Sequence, residues 1–290
     1  MSHTATDKYY VPHTAPWPIV GSIGLFTAVF GGALWLNEFW MGKIVLAAGF
    51  AAVLVMMFGW FGSVIRESEG GYYNAQVDRS YRWGMSWFIF SEVMFFGGFF
   101  GALFYAHMYA VPWLSGGASH GFFTNALLWS GYQGGWPTNG PAQLGGEFET
   151  MPAVGIAAIN TVILLTSSVT VTIAHWGLKQ DNRKQVILGL LATVILGFAF
   201  VALQAHEYID AYVNMNLTLH TGIYGTTFFM LTGFHGLHVT IGAIMLTVIL
   251  IRVIKGHFSS HHHFGFEAVS WYWHFVDVVW LCLYLFVYWL

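Results

Sequence analysis

Five ionisable side chains stand inside stretches that are otherwise apolar. They are Glu92 in SWFIFSEVMFFGGFF (86–100), His235 and His238 in TTFFMLTGFHGLHVTIG (226–242), and His274 and Asp277 in WYWHFVDVVW (271–280). Carboxyl and imidazole groups in such surroundings can hold one another by hydrogen bonds or pass protons. An unpaired charge in hydrocarbon is costly, so these groups are expected to face protein or water rather than lipid. At about 1.5 Å of rise per residue, Glu92 and His274 lie roughly 15 Å from one end of their helices, Asp277 and His238 about 20 Å and His235 nearer 26 Å. These depths predict one buried polar cluster across the third, sixth and seventh helices. It reads either as interhelical glue or as a proton relay. The third helix carries a single carboxyl and no chain of acids reaches either surface, which favours glue. The specific expectation is a hydrogen bond between Glu92 and His238, with Asp277 nearby.

Fourteen histidines also raise the question of haem or metal. A haem in a helical bundle needs two imidazoles on facing helices at matched depth. The pairs His107/His120 and His206/His220 each straddle an external connection, and the run His261–His263 sits in an internal loop with His257. No metal site, haem or catalytic residue is therefore expected in this chain. Cys282 is the single cysteine, so no intramolecular disulfide or thiolate cluster forms, and it reads as a packing residue. A second constellation lies where VIRES (64–68) and IRVIKGH (251–257) close two helices. Arg66, Arg252, Lys255 and His257 read there either as a basic pocket for anionic lipid headgroups or as plain basic charge exposed to solvent.

The elements that must position these groups follow from composition. Of 290 residues, 57% are hydrophobic and only 8% charged, whereas soluble domains carry about 25% charged side chains. The chain is an all-α integral membrane protein, with predicted spans at 17–37, 43–65, 82–110, 152–178, 185–208, 222–252 and 265–289. They divide it into an N-terminal tail (1–16), helices 1–2 (17–65), a cytoplasmic loop (66–81) and a bundle of helices 3–7 (82–290) that includes an external loop at 111–151. These spans are too long and too continuously apolar for a β-barrel. Gly and Ser recur inside them, as expected where helix backbones approach closely in lipid. The loop is rich in Gly, Pro and Asn, and FFTNALLW (122–129) within it reads either as a short interfacial helix or equally as a capping or partner surface.

Seven spans place every basic residue except Lys43 on one side, and 111–151 contains no Lys or Arg. By the positive-inside rule the N-terminus is cytoplasmic and the C-terminus external. The polar first 16 residues do not read as a cleavable signal, and no internal repeat suggests an inverted-repeat transporter.

The stretches SYRWGMSWFIFSEVMFFGGFF, TTFFMLTGFHGLHVTIG and HHHFGFEAVSWYWHFVDVVWLCLYLFVYW closely resemble the third subunit of haem-copper cytochrome c oxidase. So do VIRES and the region from IAHWGLKQDNRK to LQAHEY, and the resemblance runs in order along nearly the whole chain. It matches least over 111–151, a segment expected to vary in bacterial members. The resemblance implies a seven-helix accessory subunit of a respiratory, proton-translocating terminal oxidase, multi-pass in a bacterial inner membrane. It implies no cofactor in this chain, haems and copper in the partner subunits, and contact with catalytic subunit I in a complex that includes subunit II. No nucleic-acid partner is expected. Helices one and two are expected to splay from helices three to seven, forming a V-shaped cleft that holds phospholipids. Arg66 and Glu67 match the family's lipid-binding positions in VIRES, and Arg252, Lys255 and His257 match its second set. Glu92 matches the family's membrane-buried carboxyl known for reacting with a hydrophobic carbodiimide. The implied role is to stabilise the catalytic subunit, support proton uptake and admit oxygen through the lipid cleft; the alternative is an independent ion- or proton-conducting membrane protein.

Overall fold

The computed structural model describes residues 9–12, 14–117 and 121–289. Lys8, much of the N-terminal tail, and His120 of the pair His107/His120 lie outside them. Every regular element among the described residues is helical, with no strand. Seven stretches are long and apolar enough to cross a membrane, matching the number read from hydropathy. The chain divides into two compact units, Met1–Trp83 and Gly84–Leu290.

In the first unit, α1 (Trp17–Leu36) and α2 (Gly42–Glu69) form an antiparallel hairpin across a short turn. Small residues allow the two backbones to meet. A Cβ added at Gly31 would lie 2.2 Å from the Leu46 amide nitrogen, and one at Gly49 would lie 2.2 Å from that of Ala28. With little hydrophobic drive between helices in lipid, such close packing is what holds a pair together. Trp17 adds a polar tie, its Nε1 donating to Ser63 Oγ at 3.1 Å.

α3 (Ala75–Tyr105) begins seven residues before the predicted span, because a helix does not end where its apolar stretch ends. Asn74 Oδ1 accepts from the amides of Gln76 and Val77 and so caps the start. Asp78 and Arg82 then pair one turn apart at 2.7 Å. The connection between α2 and α3 is accordingly residues 70–74, shorter than the predicted loop 66–81. At its other end α3 continues through a π-helical turn (Ala106–Ala110) into α4 (Val111–Leu114). Pro112 has no amide to offer the α-helical ladder there.

The loop at 111–151 includes α5 (Phe122–Leu128), which agrees with the first of the two readings of that stretch. Asparagine side chains shape the segment by bonding backbone carbonyls. Asn125 Nδ2 reaches the carbonyls of Leu114, Trp129 and Tyr132, and Asn139 Nδ2 those of Leu144 and Gly146. Asn216 Nδ2 reaches Gly145 and Glu147 from beyond the next two helices, and Glu149 N donates to Met215 O.

The second unit is built on α6 (Ile156–Lys179), α7 (Arg183–Val213), α8 (Gly222–Lys255) and α9 (Phe264–Leu283), which ends in a π-helical stretch, Tyr284–Trp289. Its centre is aromatic. Trp273, Trp280 and Phe200 are fully buried, and Trp280 meets Phe200 edge to face at 4.7 Å. Each indole also has a polar anchor on α6: Trp273 Nε1 donates to Ser167 Oγ and Trp280 Nε1 to Thr161 Oγ1, both at 2.9 Å. Glycines make the space for Trp273, since a Cβ at Gly197 of α7 or Gly242 of α8 would come within 2.8 Å of its ring.

Candidate functional site

The five ionisable groups within the spans do not form one cluster; four of them make separate interhelical hydrogen bonds, and Asp277 lies beside His274. Glu92 on α3 and His238 on α8 meet at 2.9 Å between Oε2 and Nε2, the bond expected from the sequence. His238 Nδ1 lies 2.6 Å from the Phe234 carbonyl. A carbonyl only accepts, so Nδ1 carries a proton and Nε2 is left for Glu92. Either the acid donates to a neutral imidazole or an imidazolium donates to a carboxylate. In both cases the pair as a whole is neutral, which lets it sit among Phe95, Phe96 and Tyr272, whose rings surround the imidazole.

His235, one turn earlier on α8, does not join that pair. It is 1% exposed and its Nε2 donates to the Val276 carbonyl of α9 at 3.2 Å, with Trp280 and Phe200 against its ring. His274 turns instead to α6, where its Nδ1 lies 2.7 Å from Ser168 Oγ and its Nε2 3.5 Å from Thr172 Oγ1. Asp277, expected beside Glu92, is found near His274, 3.9 Å from its Nδ1. Depth along a helix is shared by these groups, but the face on which each projects is not. The bonds therefore tie α3 to α8, α8 to α9 and α6 to α9.

Two further acids, one of them fully buried, escaped the sequence reading. Glu207 is 1% exposed and accepts a 2.6 Å hydrogen bond at Oε1 from the Tyr288 hydroxyl. It stands at the edge of the predicted span 185–208, but α7 runs on to Val213, so it lies inside a packed helix. Tyr288→Phe removes the donor from a buried carboxyl and is expected to cost about 1 to 2 kcal/mol. Thermal release of the chain from its complex, compared with that of Glu207→Gln, checks this. The second acid, Glu267, lies in the first turn of α9 between His175 and His263.

The two basic sets lie in different units. Arg66, in the last turn of α2, donates to Ser63 Oγ at 3.2 Å, and Glu67 accepts from the Tyr73 hydroxyl at 2.8 Å. Tyr73 in turn meets Tyr81 at 3.2 Å. Burial pushes the Tyr73 hydroxyl well above the ordinary tyrosine range, and its bonds to Tyr81 and Glu67 push the same way. It therefore remains a proton donor to Glu67 across the physiological range. In the second unit Arg252 places its guanidinium 4.4 Å from the centre of the Phe258 ring. Gly256, in the left-handed region at φ 80°, ends α8 and lets the His257 amide return to the Arg252 carbonyl at 3.0 Å. Arg252 and His257 are half-buried and Lys255 is exposed.

Long apolar helices joined by buried polar bonds define this chain as a multi-span helical membrane protein. It matches the family model "Cytochrome c oxidase subunit III" over residues 7–290. Proteins named cytochrome c oxidase subunit 3 from Coturnix japonica, Formosania lacustris and Equus caballus are 41%, 42% and 39% identical to it over 290 residues. Each alignment covers 100% of this chain and 99% of the relative. The chain belongs to the cytochrome c oxidase subunit III family and is a subunit of a terminal oxidase complex of the respiratory chain.

Proposed function

We propose that this chain is the non-catalytic, stabilising subunit of a proton-pumping oxidase. It braces the haem-copper catalytic subunit I, in a complex with subunit II, and holds structural phospholipids. By keeping that scaffold intact it supports proton uptake and the access of oxygen. The observation that carries this reading is that Glu92, His235, His238 and His274 close on partners inside the bundle, in separate groups. A relay needs successive groups within hydrogen-bond reach of one another, whereas Glu92–His238, His235–Val276 and His274–Ser168 each join one helix to another and stop there. In a bacterial inner membrane, the positive-inside rule sets the basic ends and the N-terminus toward the cytoplasm and the C-terminus toward the periplasm.

The lipid role rests on two polar sets at the basic helix ends, Arg66 with Glu67 and Arg252 with Lys255 and His257. Arg252 combines a cation with an apolar ring beside it, a pairing suited to a phosphate and the first carbons of its acyl chain. Arg252→Ala is expected to lower the phospholipid content of the purified complex and to hasten inactivation during turnover. Unchanged lipid by mass spectrometry would count against the assignment. The whole reading is tested by removing the chain gently from the purified complex. All haem should stay with the remainder, which should begin turnover at a normal rate and then decay faster. Haem leaving with this chain, or ion conduction by the isolated chain in vesicles, would replace the stabilising role with another.

A further inference from the structure

His175, His263 and Glu267 come together from two separate parts of the chain. His175 lies near the end of α6, Glu267 in the first turn of α9, and His263 just before that helix. Their ligand atoms all lie within 4.8 Å of one another. Both imidazoles aim Nε2 at the same carboxylate oxygen, Glu267 Oε1, at 3.5 Å for His175 and 3.3 Å for His263. These separations are long for charge-assisted hydrogen bonds, which run about 2.7–2.9 Å. They match the spacing of ligands around a tetrahedral ion: donors about 2.0–2.1 Å from zinc stand roughly 3.3–3.4 Å apart.

The surroundings favour the same reading. His263 Nδ1 lies 3.0 Å from the Ser259 carbonyl, which can only accept, so Nδ1 bears the proton. That is the backing a metal-bound imidazole has, with the distal nitrogen donating to a carbonyl and the other free to coordinate. His175 Nε2 is buried and makes no hydrogen bond among the described residues. Phe266 packs against the His175 ring, and the loop that carries His263 is tied to the α6–α7 turn by Ser260 Oγ donating to Asp181 Oδ2 at 3.2 Å.

We propose that His175, His263 and Glu267 form a binding site for a single divalent transition ion of the zinc class, which clamps the end of α6 to the start of α9. Two imidazoles and one carboxylate select such an ion over magnesium or calcium, which prefer oxygen ligands. The site shares no residue with the Glu92–His238 pair or with the set assigned to lipid, although Arg252 Nη1 stands close to Gly265 at the start of α9. It departs from the metal-free expectation, which weighed two histidine pairs and the loop run His261–His263 but did not join His263 to a helix-end histidine and a first-turn acid.

The test uses the intact purified complex, freed of loosely held metal by a chelator and titrated with Zn²⁺ alone, with uptake read by equilibrium dialysis and elemental analysis. The wild-type complex should take up one equivalent more than complexes carrying Glu267→Gln or His263→Asn. His175→Gln provides a second variant in case either of those fails to assemble. A backing group usually contributes about 10- to 100-fold in affinity, so removal of a ligand should weaken binding by at least that factor. Equal uptake by wild type and these variants overturns the site. So does loss of the equivalent in a His261→Gln/His262→Gln complex with retention in His175→Gln, because the ion then belongs to the exposed loop.

Discussion

Trp273→Ala should remove about 3 to 5 kcal/mol from the stability of the bundle, the range for truncating a fully buried tryptophan. The indole fills a space framed by Gly197 and Gly242, so its removal opens a cavity between α7, α8 and α9. Little of the loss comes from the anchoring bond. Ser167 Oγ also donates to the Leu164 carbonyl at 2.6 Å and stays satisfied when the indole leaves. Trp273→Phe should therefore recover much of the stability, since it restores most of the volume without the Nε1 donor. The expected outcome is a sharp fall in the amount of this chain retained by the purified complex, with its thermal release shifted to lower temperature. Normal retention and an unchanged release temperature for the alanine variant would mean that contacts with partner subunits, not this core, hold the helices together.

The number of spans was legible because lipid imposes one dominant constraint, an apolar run about 20 residues long. Helix ends were less legible. Nothing in hydropathy reports that Asn74 caps α3 or that α7 carries Glu207 well inside its packed length. The Glu92–His238 bond could be anticipated because the third span offers one acid, and His238 of the sixth span and His274 of the seventh lie within about a turn of its depth. The placement of Asp277 could not, because depth is set by residue count while the face is set by how each helix is rotated in the bundle. His175, His263 and Glu267 were harder still. His263 and Glu267 stand four residues apart, but only the return of α9 beside the end of α6 brings His175 to them. A signal was present, an acid in the first turn of a span four residues after a histidine, but an acid at a helix N-terminus has an ordinary reading too.

Glu92 separates glue from relay most directly, because shape, hydrogen bonding and acidity can be removed one at a time. Glu92→Ala takes away the side-chain partner that His238 Nε2 has among the described residues and leaves that nitrogen between helices. Breaking a buried pair from one side costs about 3 to 5 kcal/mol, and the lower end applies here because the Glu92 side chain keeps 21% of its exposure. Assembly should fall accordingly. Adding His238→Leu should restore part of it, since the unmatched imidazole is then gone, and a double-mutant cycle reads the coupling. Glu92→Gln keeps the length and offers an amide to His238, but it cannot carry a proton. If the pair is an interhelical tie, this variant assembles, reduces oxygen and pumps protons much as the wild type does. Loss of proton pumping in a fully assembled Glu92→Gln complex would instead place this carboxyl on the proton's path, and the bond to His238 would be one step of that path.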